Sequence, residues 1–356
     1  MRAARLPKQR PPQARLMVID ADGRIRHAAR TGFIDYLRAG DLVIANDAAT
    51  LPASLHGRHA ASGAAIEVRL AGQRSFSAQD FGQFSAILFG AGDYHTETEA
   101  RPAPPVVAAG DRLLFGALAA RVQGLLGHPR LLSLRFDGSA GEIWAGLAHQ
   151  GRPIQYAHVA QALALWDVWT PIAGMPVAFE PPSAGFVLDW QQLAKMRERG
   201  VHFATITHAA GISSTGDRQL DQSLPFAEAY RIPRATAAAI RRARARGARV
   251  IAIGTTVVRA LEHAAAPGRA GQVRAGDGVA DQRIGSATRL HVVDAILSGT
   301  HEMGTSHFQL LRAFTDDATL AQANAELESD GYRTHEFGDS VLIERRRQLH
   351  AAAGWR

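Results

Sequence analysis

The chain has no cysteine in 356 residues and no long apolar run. Without thiols it can form no disulfide, no zinc–thiolate site and no cysteine nucleophile, which excludes a small disulfide-stabilised secreted protein. No apolar stretch approaches the roughly 18 residues of a membrane span, and residues 1–20 lack the apolar core of a signal peptide. We therefore expect a globular, cytoplasmic protein without a membrane partner. The sequence gives no basis for an oligomeric state.

Lysine is also scarce, since Lys8 and Lys195 are the only two lysines among 40 basic residues. Arginine supplies the rest of the positive charge, and the formal net charge is +7 at pH 7. Such a balance suits a polyanionic partner such as a nucleic acid. It equally suits an ordinary solvated surface in a protein that uses arginine in place of lysine. Charge alone therefore leaves a nucleic-acid partner open.

A repeated pattern is present in which a helix ends at glycine and an apolar strand follows. Asp189 is expected to cap a helix that stops at Gly200, and Gly247 stops the next one. Strands are predicted over 201–207, 250–253 and 290–297. Strands that alternate with helices at this spacing predict an α/β domain with a mainly parallel sheet.

Residues 55–136 follow a different pattern, with short alternating runs separated by glycine, proline and aspartate. Runs such as 65–70 and 113–122 are typical of strands with one buried face. Their spacing predicts a small β-barrel or curled sheet inserted into the α/β domain. Residues 268–285 are rich in glycine, arginine and aspartate, and we expect a flexible loop there.

The run Gly254-Thr-Thr-Val-Val-Arg-Ala-Leu-Glu262 follows the buried strand 250–253 and begins a helix. Gly254 permits a tight turn, and the amino end of a helix favours a carboxylate or a phosphate. Thr255, Arg259 and Glu262 are spaced to project from one side of that helix. The same spacing also fits a plain threonine cap with a surface Arg/Glu pair, so a ligand site is one of two interpretations.

Several other polar residues also follow predicted strands. In parallel sheets, ligands bind beyond the carboxyl ends of the strands. We expect four such residues to share one rim, with Asn46 and Asp47 from an earlier strand beside them. The four are His208, Thr255, Thr256 and His301.

Four motifs in order resemble those of the S-adenosylmethionine:tRNA ribosyltransferase-isomerases of queuosine biosynthesis. GTTSVRxLE is similar to 254–262, DLLVFNDTRVIPARL to 41–55, VDxLxTNFH to 293–301 and YGDAMLI to 337–343. The resemblance implies an α/β domain from both ends of the chain, 1–55 and 137–356, with an inserted β-barrel at 56–136. It implies transfer of the ribosyl part of S-adenosylmethionine, the co-substrate, to 7-aminomethyl-7-deazaguanine in tRNA. Rearrangement then gives epoxyqueuosine and releases adenine and methionine.

The chain departs from these motifs at several polar positions. Ala48-Ala49 stands for Thr-Arg, Ser54 for an arginine, and Val187 and Phe226 for histidines. Ten polar residues remain that suit a nucleoside with an amino-acid tail: Asn46, Asp47, His208, Glu228, Thr255, Thr256, Arg259, Glu262, Asp294 and His301. Two further readings stay open. One is a divergent paralogue that uses another acceptor or acts as a lyase, and the other is a non-catalytic RNA-binding module.

Among the ten, His301 or Glu228 is predicted to transfer a proton, Arg259 to clamp a carboxylate or ribose oxygen, and the others to bind substrate. Each has a simpler alternative. His301 could lie on the surface, Glu228 could pair with Arg231, and Asp47 and Asp294 could be turn or capping residues.

Three histidines and a glutamate between residues 291 and 307 raise the alternative of a metal site. His291, His301, Glu302 and His307 do not have the spacing of a zinc-binding helix, so no metal is expected. Convergence of His301 and His307 on one point would reverse that expectation.

Overall fold

In the computed structural model, which describes residues 2–5, 13–77, 79–265 and 272–346, two large sheets organise the chain. The larger has nine strands. From edge to edge they are Gly276–Ala280, Glu228–Ile232, His202–His208, Leu42–Asn46, Val250–Ile253, Ala295–Gly299, Ser340–Glu344, Arg15–Ile19 and Ile25–Ala29.

The centre of this sheet is parallel and its flanks are mixed. His202–His208, Leu42–Asn46, Val250–Ile253 and Ala295–Gly299 pair in parallel. Ser340–Glu344 is antiparallel to its neighbour in the centre and parallel to Arg15–Ile19, and the outermost pairings are antiparallel. The predicted α/β class is confirmed, and the mainly parallel pairing applies to the four central strands.

Helices cover both faces of the sheet. Val43 packs with Phe33 and Met196 on one face, whereas the next residue, Ile44, packs with Ile240 on the other. Strands buried on both faces require apolar side chains at successive positions, which Leu42–Asn46 and Val250–Ile253 supply. The α-helices are Ala140–Gln150, Leu165–Val168, Trp190–Glu198, Arg218–Ser223, Arg234–Ala245, Thr255–Ala264, Ser306–Leu311 and Asp317–Ser329, with 3-10 turns at Arg30–Tyr36, Thr98–Ala100 and Ser183–Val187.

The second sheet closes into a six-stranded antiparallel barrel, as the alternating runs predict. Its strands, in order of pairing, are Ser54–His59, Ala65–Gly72, Gln83–Phe89, Leu131–Phe136, Leu118–His128 and Arg112–Phe115. The last strand pairs back onto the first, with Leu114 opposite Arg58. A two-residue strand, Gly151–Arg152, is added at the outside of Ser54–His59. Two-residue pairings also join Arg2–Ala3 to Arg333–Thr334 and Ala49–Thr50 to Pro176–Ala178.

Two predicted elements differ from the structure. The strand expected over 290–297 begins only at Ala295, because the amides of residues 291–293 donate to the Glu262 carboxylate instead of to a strand. The loop expected over 268–285 contains the strand Gly276–Ala280, which pairs with Glu228–Ile232 at the sheet edge. Residues 268–271 of that prediction lie outside the described residues. Across the described ranges, no helix is long and apolar enough to cross a membrane.

Candidate active site

A cavity of about 280 Å³ opens at the carboxyl ends of the central parallel strands. Segments that follow His202–His208, Val250–Ile253 and Ala295–Gly299 form its wall. The residues lining it are Ala210, Gly211, Ile212, Asp221, Gln222, Leu224, Pro225, Glu228, Thr255, Thr256, Arg259, Arg283, Ile284, Gly304, Ser306, His307, Gln309 and Leu310. The cavity combines charged groups with apolar side chains, as pockets for small molecules do.

Glu228 and Arg259 form a buried ion pair in the cavity wall. The other carboxylate oxygen of Glu228 accepts a hydrogen bond from the backbone amide of Gly211 at 2.6 Å. The second amino group of Arg259 donates to the backbone carbonyls of Phe226 and Ala280 at 3.1 and 2.8 Å. Burial lowers the pKa of Arg259 to about 10, which leaves it a cation at neutral pH. The pair therefore presents a fixed carboxylate and a fixed guanidinium to the cavity.

The alternative partner of Glu228, Arg231, is engaged elsewhere. Its guanidinium makes a bidentate contact with the carboxylate of Asp277, at 2.6 and 2.8 Å. Both residues lie on the sheet edge, on paired strands. A surface pair between Glu228 and Arg231 is thus excluded.

Thr255 and Thr256 lie at the amino end of the ten-residue helix Thr255–Ala264 and line the cavity. Gly254 precedes them with a φ of 95°, a backbone conformation that side chains with a Cβ rarely adopt. The first amide groups of a helix have no partner within it, and the helix dipole is positive at this end. This part of the wall is suited to an anionic group of a ligand.

His301 lies behind the cavity wall. Its ring stacks on that of His307, with centroids 4.6 Å apart and an interplanar angle of 12°, and His307 lines the cavity. Nε2 of His301 is 2.9 Å from the hydroxyl of Ser298. Burial lowers the pKa of His301 well below its usual value, and burial with the nearby Arg259 lowers that of His307 to about 4. Among the described residues, neither His301 nor His307 belongs to a group of three potential metal ligands.

His208 and its neighbours support the Glu228 side of the cavity from below. His208 is fully buried, and its Nε2 lies 3.5 Å from the Glu228 carboxylate. Burial, with Arg259 nearby, lowers the pKa of His208 well below its usual value. The Asn46 amide group bonds to the backbone N–H and carbonyl of His208, and Asp47 accepts a hydrogen bond from Thr207 at 2.7 Å. His208, Asn46 and Asp47, which were predicted as site residues, do not line the cavity and lie next to residues that do.

Glu262 and Asp294 are engaged away from the cavity. Glu262 accepts hydrogen bonds from the amides of His291, Val292 and Val293 at 2.7 to 2.9 Å. Asp294 immediately precedes the strand Ala295–Gly299 and so lies at its amino end, away from the cavity at the carboxyl ends. Its carboxylate pairs with Arg345 at 2.6 Å. Neither residue lines the cavity, and their carboxylates are bound by backbone amides and by an arginine.

The structure adds cavity residues that sequence reasoning did not select. Arg283, within the predicted loop 268–285, lines the cavity and donates to the carbonyl of Gln222 at 2.7 Å. His307 was considered only as a metal ligand. The single available signal for Arg283 was a basic residue near a glycine-rich stretch, which is common on protein surfaces.

Glu180 is a buried carboxylic acid that sequence reasoning also missed. Its carboxylate accepts hydrogen bonds from the Tyr156 hydroxyl at 2.5 Å and from the Ser213 amide at 3.0 Å. Burial, together with the charge of Glu336, raises the pKa of Glu180 to about 7. The carboxyl group of Glu180 is therefore partly protonated near neutral pH.

The family model for queuosine biosynthesis proteins matches residues 1–343. The chain belongs to this family. Curated relatives named S-adenosylmethionine:tRNA ribosyltransferase-isomerase are 35% identical in Sorangium cellulosum, over 96% of this chain and 94% of the relative, and 32% identical in Citrifermentans bemidjiense, over 96% and 95%. A solved S-adenosylmethionine tRNA ribosyltransferase from Thermotoga maritima aligns over 96% of this chain and 95% of that chain, with a TM-score of 0.49 and 23% identity. The family match therefore spans both sheets and the cavity.

The residues that differ from the family motifs in this chain pack in the protein interior. Ala48 and Val187 are buried among apolar residues. Ser54 donates to Glu67 at 2.7 Å inside the barrel, where Arg69 and Arg101 also contact that carboxylate. Burial acts to raise the pKa of Glu67, but these partners lower it to about 2. The cavity of this chain is lined by charged side chains, so these substitutions have not made it an apolar core.

Proposed function

We propose that this chain is an S-adenosylmethionine:tRNA ribosyltransferase-isomerase of queuosine biosynthesis, a tRNA-modifying transferase and isomerase of the cytoplasm. It would transfer the ribosyl part of S-adenosylmethionine to 7-aminomethyl-7-deazaguanine in tRNA and release adenine and methionine. The observation that carries the proposal is the charged cavity with the buried Glu228–Arg259 pair. Nearly full-length similarity to relatives named for this activity supports it.

For substrate binding, we assign the methionine carboxylate to the amino end of the helix at Thr255 and Thr256, with Arg283 as a second cationic contact. Helix amino ends favour carboxylates, and a guanidinium binds them in a planar, bidentate manner. The apolar side chains of Ile284 and Leu310 offer a surface for the adenine ring.

For the chemistry, we assign proton transfer to Glu228 and charge stabilisation to Arg259. The reaction requires removal of a proton from the carbon beside the sulfonium, which leaves a carbanion that a neighbouring cation stabilises. Glu228 faces the cavity and is held by Arg259 and Gly211, so its position is fixed before substrate binds. His301, which stacks behind His307, is assigned to positioning that ring.

The remaining predicted residues receive supporting roles in this proposal. His208, Asn46 and Asp47 hold the strand ends beneath Glu228. Glu262 and Asp294 anchor the segment before Ala295–Gly299. We also propose the division into 1–55 with 137–356 and an inserted 56–136. The barrel strand Ser54–His59 begins two residues before that boundary.

The test is to mix the purified protein with S-adenosylmethionine, with and without tRNA that carries the 7-aminomethyl-7-deazaguanine base, and to follow adenine and methionine by chromatography. We expect release of both only when the tRNA is present, and loss of release when Glu228 is replaced by glutamine. Release without tRNA would overturn the assigned acceptor in favour of another acceptor or a lyase. Binding of tRNA with no release under any condition would identify a non-catalytic RNA-binding module.

A further inference from the structure

A group of three potential metal ligands lies outside the cavity and is not used by the proposed reaction. It consists of His158, His335 and Glu336, and one ligand atom from each lies within 4.8 Å of the other two. Nε2 of His158 is 3.1 Å from the Glu336 carboxylate, and the two imidazole rings stack with centroids 4.3 Å apart. Two imidazoles and one carboxylate match the ligand set of many zinc and other transition-metal sites.

The distances are close to those that a bound ion requires. Zinc bonds of about 2.1 Å in a tetrahedral arrangement place neighbouring ligand atoms roughly 3.4 Å apart. The contact between His158 and Glu336, at 3.1 Å, is slightly shorter than this separation. His335 is exposed, and one of its ring nitrogens lies within 4.8 Å of the other two ligand atoms, so binding of an ion requires its ring to turn out of the stack with His158.

The backbone of His335 also departs from ordinary geometry. Among the described non-glycine residues, it is the one with a positive φ, at 67°. This conformation is sparsely populated for such residues, and backbone strain of this kind is concentrated at functional and ligand-binding sites. The turn is held in place because Gly338 donates to the His335 carbonyl at 3.0 Å.

The surrounding charges favour a cation. Glu336 supplies a carboxylate oxygen, and His158 and His335 supply imidazole nitrogens. The carboxyl group of Glu302 adds negative potential near His335.

From this geometry we propose that His158, His335 and Glu336 bind one divalent transition-metal ion of the zinc class. The ion would tie the turn at 335–338 to the loop that carries His158, and its fourth position would be open to water. The three ligands come from two segments 177 residues apart, which is why no sequence motif announces them. The inference does not depend on the proposed transferase activity.

The experiment uses full-length protein stripped of metal by a chelator and titrated with zinc chloride in a calorimeter, without S-adenosylmethionine. We expect one zinc ion per chain. His335→Gly removes the imidazole while accepting the positive φ, and Glu336→Gln removes the charge with the same shape, so each should weaken binding at least about tenfold. His95→Ala, which removes an exposed imidazole 2.9 Å from Asp93, is the matched control and should bind as the unaltered chain does.

A second readout is the visible absorption of bound cobalt(II), which reports the nitrogen and oxygen ligands directly. It should appear in the unaltered chain and in His95→Ala, and be lost in His335→Gly. Absence of stoichiometric zinc in the unaltered chain would overturn the proposal. Equal affinity in His335→Gly and His95→Ala would overturn it as well, and circular dichroism of both variants establishes that each is folded.

Discussion

A Cβ atom added to Gly211 would lie 2.8 Å from the Oε1 atom of Glu228. The glycine therefore lets its own amide approach the carboxylate to the 2.6 Å of their hydrogen bond. We predict that Gly211→Ala displaces the Glu228 carboxylate and lowers kcat about tenfold or more, because misplacement of about 1 Å is costly to catalysis. The measurement is adenine release at saturating S-adenosylmethionine and tRNA.

Gly124→Ala is the control for that substitution, since a Cβ added there meets nothing within 4 Å. Its kcat should equal that of the unaltered chain. Unchanged kcat in Gly211→Ala would contradict the role assigned to the carboxylate position.

Glu228→Gln tests the charge of the same carboxylate. We predict a fall in kcat of about 10²- to 10⁴-fold, the usual value of a positioned proton-transfer group. The variant should also lose stability by about 3 kcal/mol or more, because the buried Arg259 loses its counter-ion. Urea unfolding and adenine release measure the two effects separately.

Asp277→Asn removes a carboxylate from an exposed pair with Arg231 on the neighbouring strand. An exposed pair contributes at most about 1 kcal/mol, so this variant should stay active and stable. A folded Glu228→Gln protein with activity close to normal would refute proton transfer by Glu228.

Phenylalanine substitutions distinguish the roles of the two stacked histidines, His301 and His307, because phenylalanine keeps a flat ring in place. His307→Phe removes a nitrogen from the cavity wall and should lower kcat/KM about tenfold, the value of roughly one hydrogen bond. His301→Phe removes only the contact with Ser298 and should change kcat/KM less than about threefold. A larger loss in His301→Phe than in His307→Phe would make His301 the reacting group.

Glu180 predicts a defined dependence of stability on pH. Its pKa is about 7 in the folded chain and 4.5 in the reference state. The folded state therefore holds a proton that the unfolded state loses, so this contribution is complete below pH 4.5 and is lost as pH rises through 7. The total is about 3 kcal/mol.

Urea unfolding at several pH values between 4.5 and 8 provides the measurement. The free energy of unfolding of the unaltered chain, minus that of Glu180→Gln, should fall with pH up to about 7 and then level off. Glu97→Gln, at an exposed carboxylate, should show no such trend. A difference that is constant across this pH range would contradict the raised pKa.

The sequence predicted those elements of the fold and site that are determined by residues close together in the chain. The turn at Gly254 and the helix after it follow from one strand, one glycine and helical spacing. Helix and strand alternation predicted that Thr255 and Thr256 lie at the carboxyl ends of the parallel strands, where they line the cavity. It did not predict the pair of Glu228 and Arg259, which depends on a strand that is antiparallel to the centre. The alternating apolar and polar residues of 55–136 were likewise sufficient to predict the β-barrel.

What the sequence did not reveal depends on distant partners. The Glu262 carboxylate is occupied by amides 29 to 31 positions later, and periodicity carries no record of such contacts. Glu180 acquires its unusual pKa only where Tyr156 and Glu336 approach it. Arg283 reaches the cavity because Gly276–Ala280 forms an edge strand, against the low β-propensity of a glycine-rich segment.

Ser340–Glu344 lies between Ala295–Gly299 and Arg15–Ile19 in the large sheet. The hairpin formed by Arg15–Ile19 and Ile25–Ala29, although made early on the ribosome, cannot dock until that late strand has emerged. Until that strand is present, one edge of Arg15–Ile19, whose side chains are largely buried in the folded chain, has no strand partner. A nascent chain halted before residue 340 would therefore leave that edge open to aggregation.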